Sequence, residues 1–260
     1  MKLFKSIAIL SIFSMLFLFS CSDSTTNADD DNMDIPDDAT AFPNAQAAAE
    51  FAVSTLSGVG DFVEGSLYVF DENGAKKLGK VTGDSLYYRD GWWYYSASTY
   101  YNDGESGFGL SMELNNKYQF SKNGSVQQAW DTADKVHAIV DAEGSFSMEG
   151  STMDLKYYFD INYSNINSMV LPVMVDGNGY YDITYDSEET GKQRYYITYT
   201  FDDLKIPEDG YPAGSLTVGT KNFDVVMVFN STNMVSVSVT QDGKTVYSMQ
   251  YDLDSEDENG

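Results

Sequence analysis

The chain has 260 residues, with 40 acidic against 15 basic and a formal charge of −25. Such a charge opposes binding to nucleic acid or to an anionic lipid surface, so no nucleic-acid partner is expected. One cysteine and one histidine leave little material for disulfides, metal clusters or a histidine-dependent triad.

The first residues carry the parts of a secretory signal: Lys2 and Lys5, an apolar run from Ile7 to Phe19, and small Ser20 ahead of Cys21. Only 15 residues lie between Lys5 and Cys21, short of the roughly 20 that span a bilayer as a helix. The tetrapeptide Leu18-Phe19-Ser20-Cys21 resembles the lipobox of bacterial lipoproteins, in which signal peptidase II cuts before a cysteine whose thiol receives a diacylglycerol. That resemblance implies a signal peptide over 1–20, palmitate-type acyl chains on Cys21 and a membrane partnership through that covalent lipid. Ser22, rather than aspartate, follows the cysteine. By the same resemblance the protein is delivered to the outer membrane of a Gram-negative bacterium, with the periplasmic and surface-facing leaflets both open.

Residues 21–43 are rich in Ser, Thr, Asn, Asp and Ala, with few large apolar side chains to bury. They are expected to form an acidic, disordered tether whose reach as a flexible coil is about 25 Å. The run Asp29-Asp30-Asp31 looks like an acidic surface-export tether, and a plain solvated linker reads equally well. From 44 to 57 the alanines and the stripe Ala48, Phe51, Ala52, Leu56 predict one short helix, ended by Gly58 and Gly60. A single β-rich domain is expected over 44–254, followed by a solvated acidic tail at 255–260.

Strand patterning dominates that domain. From Thr152 to Tyr163 the residues Met153, Leu155, Tyr157, Phe159, Ile161 and Tyr163 share one face, while Asp154, Lys156, Asp160 and Asn162 share the other. Val235, Val237 and Val239 alternate likewise, then Asp242-Gly243 predicts a tight hairpin turn before Tyr247, Met249, Tyr251 and Leu253. A further hairpin joins Tyr181–Tyr185 to Tyr195–Phe201 across a polar loop from Asp186 to Arg194. Strands longer than about 5–6 residues in one flat sheet leave edges open to aggregation. The expected fold is therefore all-β: an antiparallel meander of about 9–12 strands, closed or coiled into a soluble barrel or half-barrel, with the helix at its mouth or inner face. A membrane-spanning barrel is disfavoured, because one face of most strands carries Asp, Lys, Ser and Thr.

Six tyrosine doublets, among them Tyr87-Tyr88, Tyr94-Tyr95 and Tyr180-Tyr181, stand beside Trp92-Trp93. In a strand each doublet sends one ring to each face. Two readings compete for the second-face rings: cross-strand pairs that rigidify the sheet, or a stacking platform for a sugar or another flat ligand. The candidate ligand-stacking residues are Tyr88, Trp92, Trp93, Tyr94 and Tyr95, with Arg89, Asp90 and Asn102 alongside.

The catalytic inventory is thin. A Ser-His-Asp triad would need His137, and no Gly-x-Ser-x-Gly elbow occurs. Asp131, Asp134, His137 and Asp141 cluster in sequence; on a helix Asp134, His137 and Asp141 would share a face, but a strand would disperse them, so no metal site is assigned. Asp176-Gly177-Asn178-Gly179 lacks the alternating ligands and terminal glutamate of a calcium loop and reads as a turn. No catalytic residue and no cofactor is assigned, and the chain is not expected to be an enzyme. The segment Asp203 to Val239, with Ile206-Pro207 and Tyr211-Pro212-Ala213-Gly214, resembles uncharacterised bacterial lipoproteins. The leading expectation is a lipid-anchored envelope protein presenting a noncatalytic domain that binds or scaffolds a glycan or envelope protein. A half-barrel carrier of a lipid or other apolar ligand is the alternative, and a polysaccharide-acting enzyme the third.

Overall fold

The computed structural model describes residues 33–56, 85–103, 108–148, 150–166, 173–189 and 191–256. The signal segment, Cys21, the helix-ending Gly58 and Gly60, and the last four residues of the acidic tail lie outside them. Among the described residues one α-helix, α1 (Ala45–Ser54), precedes β1 (Ser85–Arg89), β2 (Trp92–Asp103), β3 (Phe108–Lys122), β4 (Ser125–Gln127), β5 (Lys135–Met148) and β6 (Ser151–Ser164). Then follow β7 (Val173–Ser187), β8 (Gly191–Ile206), β9 (Ala213–Gly219), β10 (Asp224–Asn230), β11 (Met234–Gln241) and β12 (Lys244–Asp252). All belong to one antiparallel sheet in the order β1-β2-β3-β5-β6-β7-β8-β9-β10-β11-β12, with β4 paired to β3. The all-β meander with one short helix is what the strand patterning predicts.

Pleating sorts the side chains as expected. On β6, Met153, Leu155, Phe159, Ile161 and Tyr163 are buried on the inner face, and Asp154, Lys156 and Asn162 are exposed on the outer. Asp90-Gly91, Asn123-Gly124 and Asp242-Gly243 all take left-handed backbone angles at both positions. These tight hairpin turns match the strand twist, and Asn or Asp followed by Gly supplies them at low cost.

One apolar cluster runs along the inner face from Tyr118 and Phe120 of β3 to Val235, Val237 and Val239 of β11 and takes in Ala48, Ala49, Ala52 and Val53 of α1. Ten helical residues span only about 15 Å. A helix of that length, packed on β10, β11 and β12, is too small to cover so wide a sheet, and the inner-face side chains pack on one another in one continuous cluster. Among the described residues the sheet is not closed into a barrel: β1 and β12 are not paired.

Residues 33–43, expected in the disordered tether, lie against the sheet. β9 pairs with β8 only from Thr198 onward, which leaves a notch beside the first half of β8. The N-terminal segment fills it: the Thr40 amide donates to the Arg194 carbonyl at 2.6 Å, and the Arg194 amide donates to Thr40 Oγ1 at 3.3 Å. Lys221 Nζ donates to the carbonyls of Pro36 and Asp37, both at 3.0 Å. Asn222 exchanges two hydrogen bonds with the Phe42 backbone. The strap thus crosses from outer to inner face, where Phe42, 4% exposed, meets Phe51 at 5.0 Å between ring centroids. Asn44 then caps α1 by accepting from the Ala47 amide.

Three further expectations change. Asp176 to Gly179 is strand rather than turn, because a side chain at Gly177 would collide with the Asp160 carbonyl and one at Gly179 with the Phe159 ring. The polar loop between β7 and β8 contracts to residues 188–190. Leu253–Glu256 forms a short 3-10 turn that takes in residues 255 and 256 of the expected tail, and just ahead of the tail Asp254 accepts from the Tyr211 hydroxyl and from Asn233.

Candidate functional site

The outer face carries three neighbouring patches. At the β1–β2 hairpin the pleat divides the five expected stacking residues. Tyr88 pairs with Trp93 and Leu86 with Tyr95; Trp93 and Leu86 pack on the core, and Tyr95 is 8% exposed. Trp92 and Tyr94 occupy the opposite face. The five residues therefore do not share a platform. Residue parity already contained that division, since adjacent positions on a strand face opposite ways.

The outward rings use their faces on protein groups. Tyr87 and Tyr94 stack at 5.1 Å with 11° between planes, and Arg89 lies 5.9 Å from the Tyr94 ring centre. Lys117 sits 5.4 Å from the Trp92 ring centre, and the His137 ring meets Trp92 edge-on at 5.1 Å. His137 Nε2 is 2.6 Å from Asp160 Oδ1, with both side chains partly exposed. β5 disperses the other acids of that sequence cluster: Asp134 caps the β3–β4 turn by accepting from the Asn123 amide, and Asp141 lies further along the outer face. Among the described residues no group of three or more His, Cys, Asp or Glu is placed to hold a metal ion.

The second patch is a shallow depression of about 340 Å³ over β3, β5, β6 and β7. Ser111, Ser145 and Thr184 offer hydroxyls, Glu113, Glu143, Asp154 and Asp182 offer carboxylates, and Lys156 supplies a cation. Register explains the gathering, because Glu113 faces Glu143, which faces Lys156, which faces Asp182 across successive strands. Hydroxyl-bearing ligands can be met there by acceptors and a donor at once.

The third patch was half legible. Tyr158, Tyr180 and Tyr196 do stack across β6, β7 and β8, at 6.1 and 5.0 Å with planes within 26°. The strap covers them with Met33, Ile35 and Ala39. Arg194 closes the cover: Nη1 donates to both oxygens of Asp38, while Nε and Nη2 grip Asp182. Its side chain is 13% exposed, and its hydrogen bonds to Asp182, then those to Asp38, hold its pKa above the ordinary value. Burial, and then Tyr180, push the Tyr196 phenol up to about 12.

The inner face bears a different surface at the strand ends away from α1. Phe146, Met153 and Leu155 form a cluster joined by Leu110, Met112, Tyr157, Tyr181, Ile183 and Tyr185. Gln193, 5% exposed, points to this side opposite Tyr185. Its Oε1 accepts from the Tyr195 hydroxyl at 2.8 Å, and its Nε2 has no hydrogen-bond partner. Neither Gln193 nor the strap contacts stand out in the sequence, because nothing in local periodicity marks a side chain whose partners are distant.

A scan against family models and searches of the curated proteins and of the solved structures found no match.

Proposed function

We propose that this chain is a lipid-anchored protein of a Gram-negative outer membrane that presents a noncatalytic β domain for binding or scaffolding, with a glycan or envelope protein as its ligand. The lipobox-like tetrapeptide supports the anchor at Cys21. The observation that carries the binding role is the outer-face depression, where three hydroxyls, the carboxylates of Glu113, Glu143 and Asp154, and Lys156 converge. Sugars offer many hydroxyls to such a mixed donor and acceptor surface, and the surrounding acidity selects against anionic polymers. With the strap docked, the expected tether shortens to residues 22–32. As a flexible coil, a segment of that length has a reach of about 18 Å.

A glycan array probed with the domain from residue 33 onward tests the binding role. Retention of a neutral or amino-bearing glycan, lost in Glu143→Gln with Asp154→Asn, is expected. Retention unchanged by those substitutions would move the site elsewhere. For the anchor, Cys21→Ala is expected to remove the acyl mass and release the protein from membranes; unchanged partitioning would contradict it. A second reading, a half-barrel carrier of an apolar ligand, is favoured by one observation, the unpartnered amide of Gln193 above the inner-face aromatic cluster.

A further inference from the structure

Gln193 is buried in a place that gives its amide nothing to bond. Its neighbour along β8, Tyr195, donates to Oε1, and opposite it on β7 stands Tyr185, a member of the apolar cluster. Buried donors without acceptors are rare in native proteins, and each asks for an explanation. The surroundings offer one. Burial raises the phenols of Tyr157, to about 12, and of Tyr181, well above its ordinary value. Both rings nevertheless keep some accessible surface. Ile183 and Tyr185 are half-buried as well, so part of the apolar inner face stays open beside Gln193.

We propose that the inner face of β6, β7 and β8 binds a single acyl chain in ester or amide linkage, with Gln193 Nε2 donating to its carbonyl. The claim rests on the carrier reading and names its ligand class and site. Leu155 and Tyr157 on β6 run beside Tyr181, Ile183 and Tyr185 on β7, an apolar strip along which an extended chain can lie. The head group is neutral for two reasons: the contact available to it is an amide N–H rather than a cation, and the chain's charge of −25 opposes a free carboxylate. No bond is made or broken, so the site is one of retention.

Native mass spectrometry and a binding titration of the domain from residue 33 test this, with monopalmitoylglycerol as the ester probe, palmitate as the carboxylate probe, and N-phenyl-1-naphthylamine as an apolar fluorophore without a carbonyl. One-to-one binding of the ester is expected, at least tenfold tighter than palmitate. Gln193→Leu is expected to weaken the ester about tenfold and leave the fluorophore unchanged, and a carbonyl-labelled ester should lose its bound-state shift. Ile183→Trp, which fills the strip, should abolish binding of both ester and fluorophore. If the fluorophore binds but the ester is held no better than palmitate, or equally well by Gln193→Leu, the acyl-ester site is overturned and the carrier reading survives. If neither binds, both fall, while the outer-face glycan test stands independently.

Discussion

Two tyrosine stacks sit on the same outer face and meet different fates. Tyr87 and Tyr94, on the first hairpin, are bordered by Arg89, whose side chain is 69% exposed and whose ion pair with Asp90 spans 3.3 Å. Tyr158, Tyr180 and Tyr196 lie under the strap, closed by an arginine that is 13% exposed and bonded to two carboxylates. Ring geometry hardly differs between them; cover does. A planar guanidinium held between two partly buried carboxylates becomes part of the fold, whereas the same group in water adds little. The difference also decides which stack remains available: the hairpin stack faces solvent, and the ladder belongs to the protein's own N-terminal segment.

Removing the strap should separate the two stacks most sharply. A chain starting at residue 44 loses the burial of Ile35, Ala39 and Phe42, and should unfold about 5 kcal/mol more easily than one starting at residue 33, as read by denaturant titration. Arg194→Met comes next. It leaves Asp38 and Asp182 facing each other without a cation, which should cost about 3–5 kcal/mol and lower Tm by roughly 10 °C. Arg194→Lys should not restore it, because an ammonium cannot bridge both carboxylates bidentately.

Away from the strap, Gly179→Ala drives a methyl into the Phe159 ring and should cost about 1–3 kcal/mol by overpacking. Alkaline pH probes one phenol of the covered ladder, Tyr196, together with Tyr157 on the inner face. Burial raises the phenols of Tyr157 and Tyr196 to about 12, above their value in the unfolded chain, so the neutral form is favoured by folding. The stability they contribute is complete below about pH 10 and is lost as pH rises toward 12. Absorbance near the phenolate band, followed with and without denaturant at pH 11, should show phenols that ionise only on unfolding. Arg89→Ala, on the open hairpin, should change stability by less than about 0.5 kcal/mol.

Much of the scaffold was readable from residue order. Six apolar residues at period two place β6, and Asp242-Gly243 places the last hairpin, because pleating and turn chemistry are local. The strap was not readable, since residues 33–43 are too polar to suggest burial and their anchors, Arg194, Lys221 and Asn222, are more than 150 positions away. Composition describes what a segment could bury alone, and this one is held through partners elsewhere. Gly177 and Gly179 misled for a related reason: they serve the Phe159 ring and the Asp160 backbone across a strand, not a turn of their own. The doublets show the reverse, for alternation alone separates Tyr88, Trp93 and Tyr95 from Trp92 and Tyr94.

Hydrogen exchange of the domain from residue 33 addresses the strap directly. The amides of Thr40 and Phe42, which donate to Arg194 and Asn222, should exchange slowly in the native chain and rapidly in Arg194→Met, while the β1–β2 hairpin exchanges identically in both. Rapid exchange across residues 33–42 of the native chain would contradict a docked strap and return the segment to the tether.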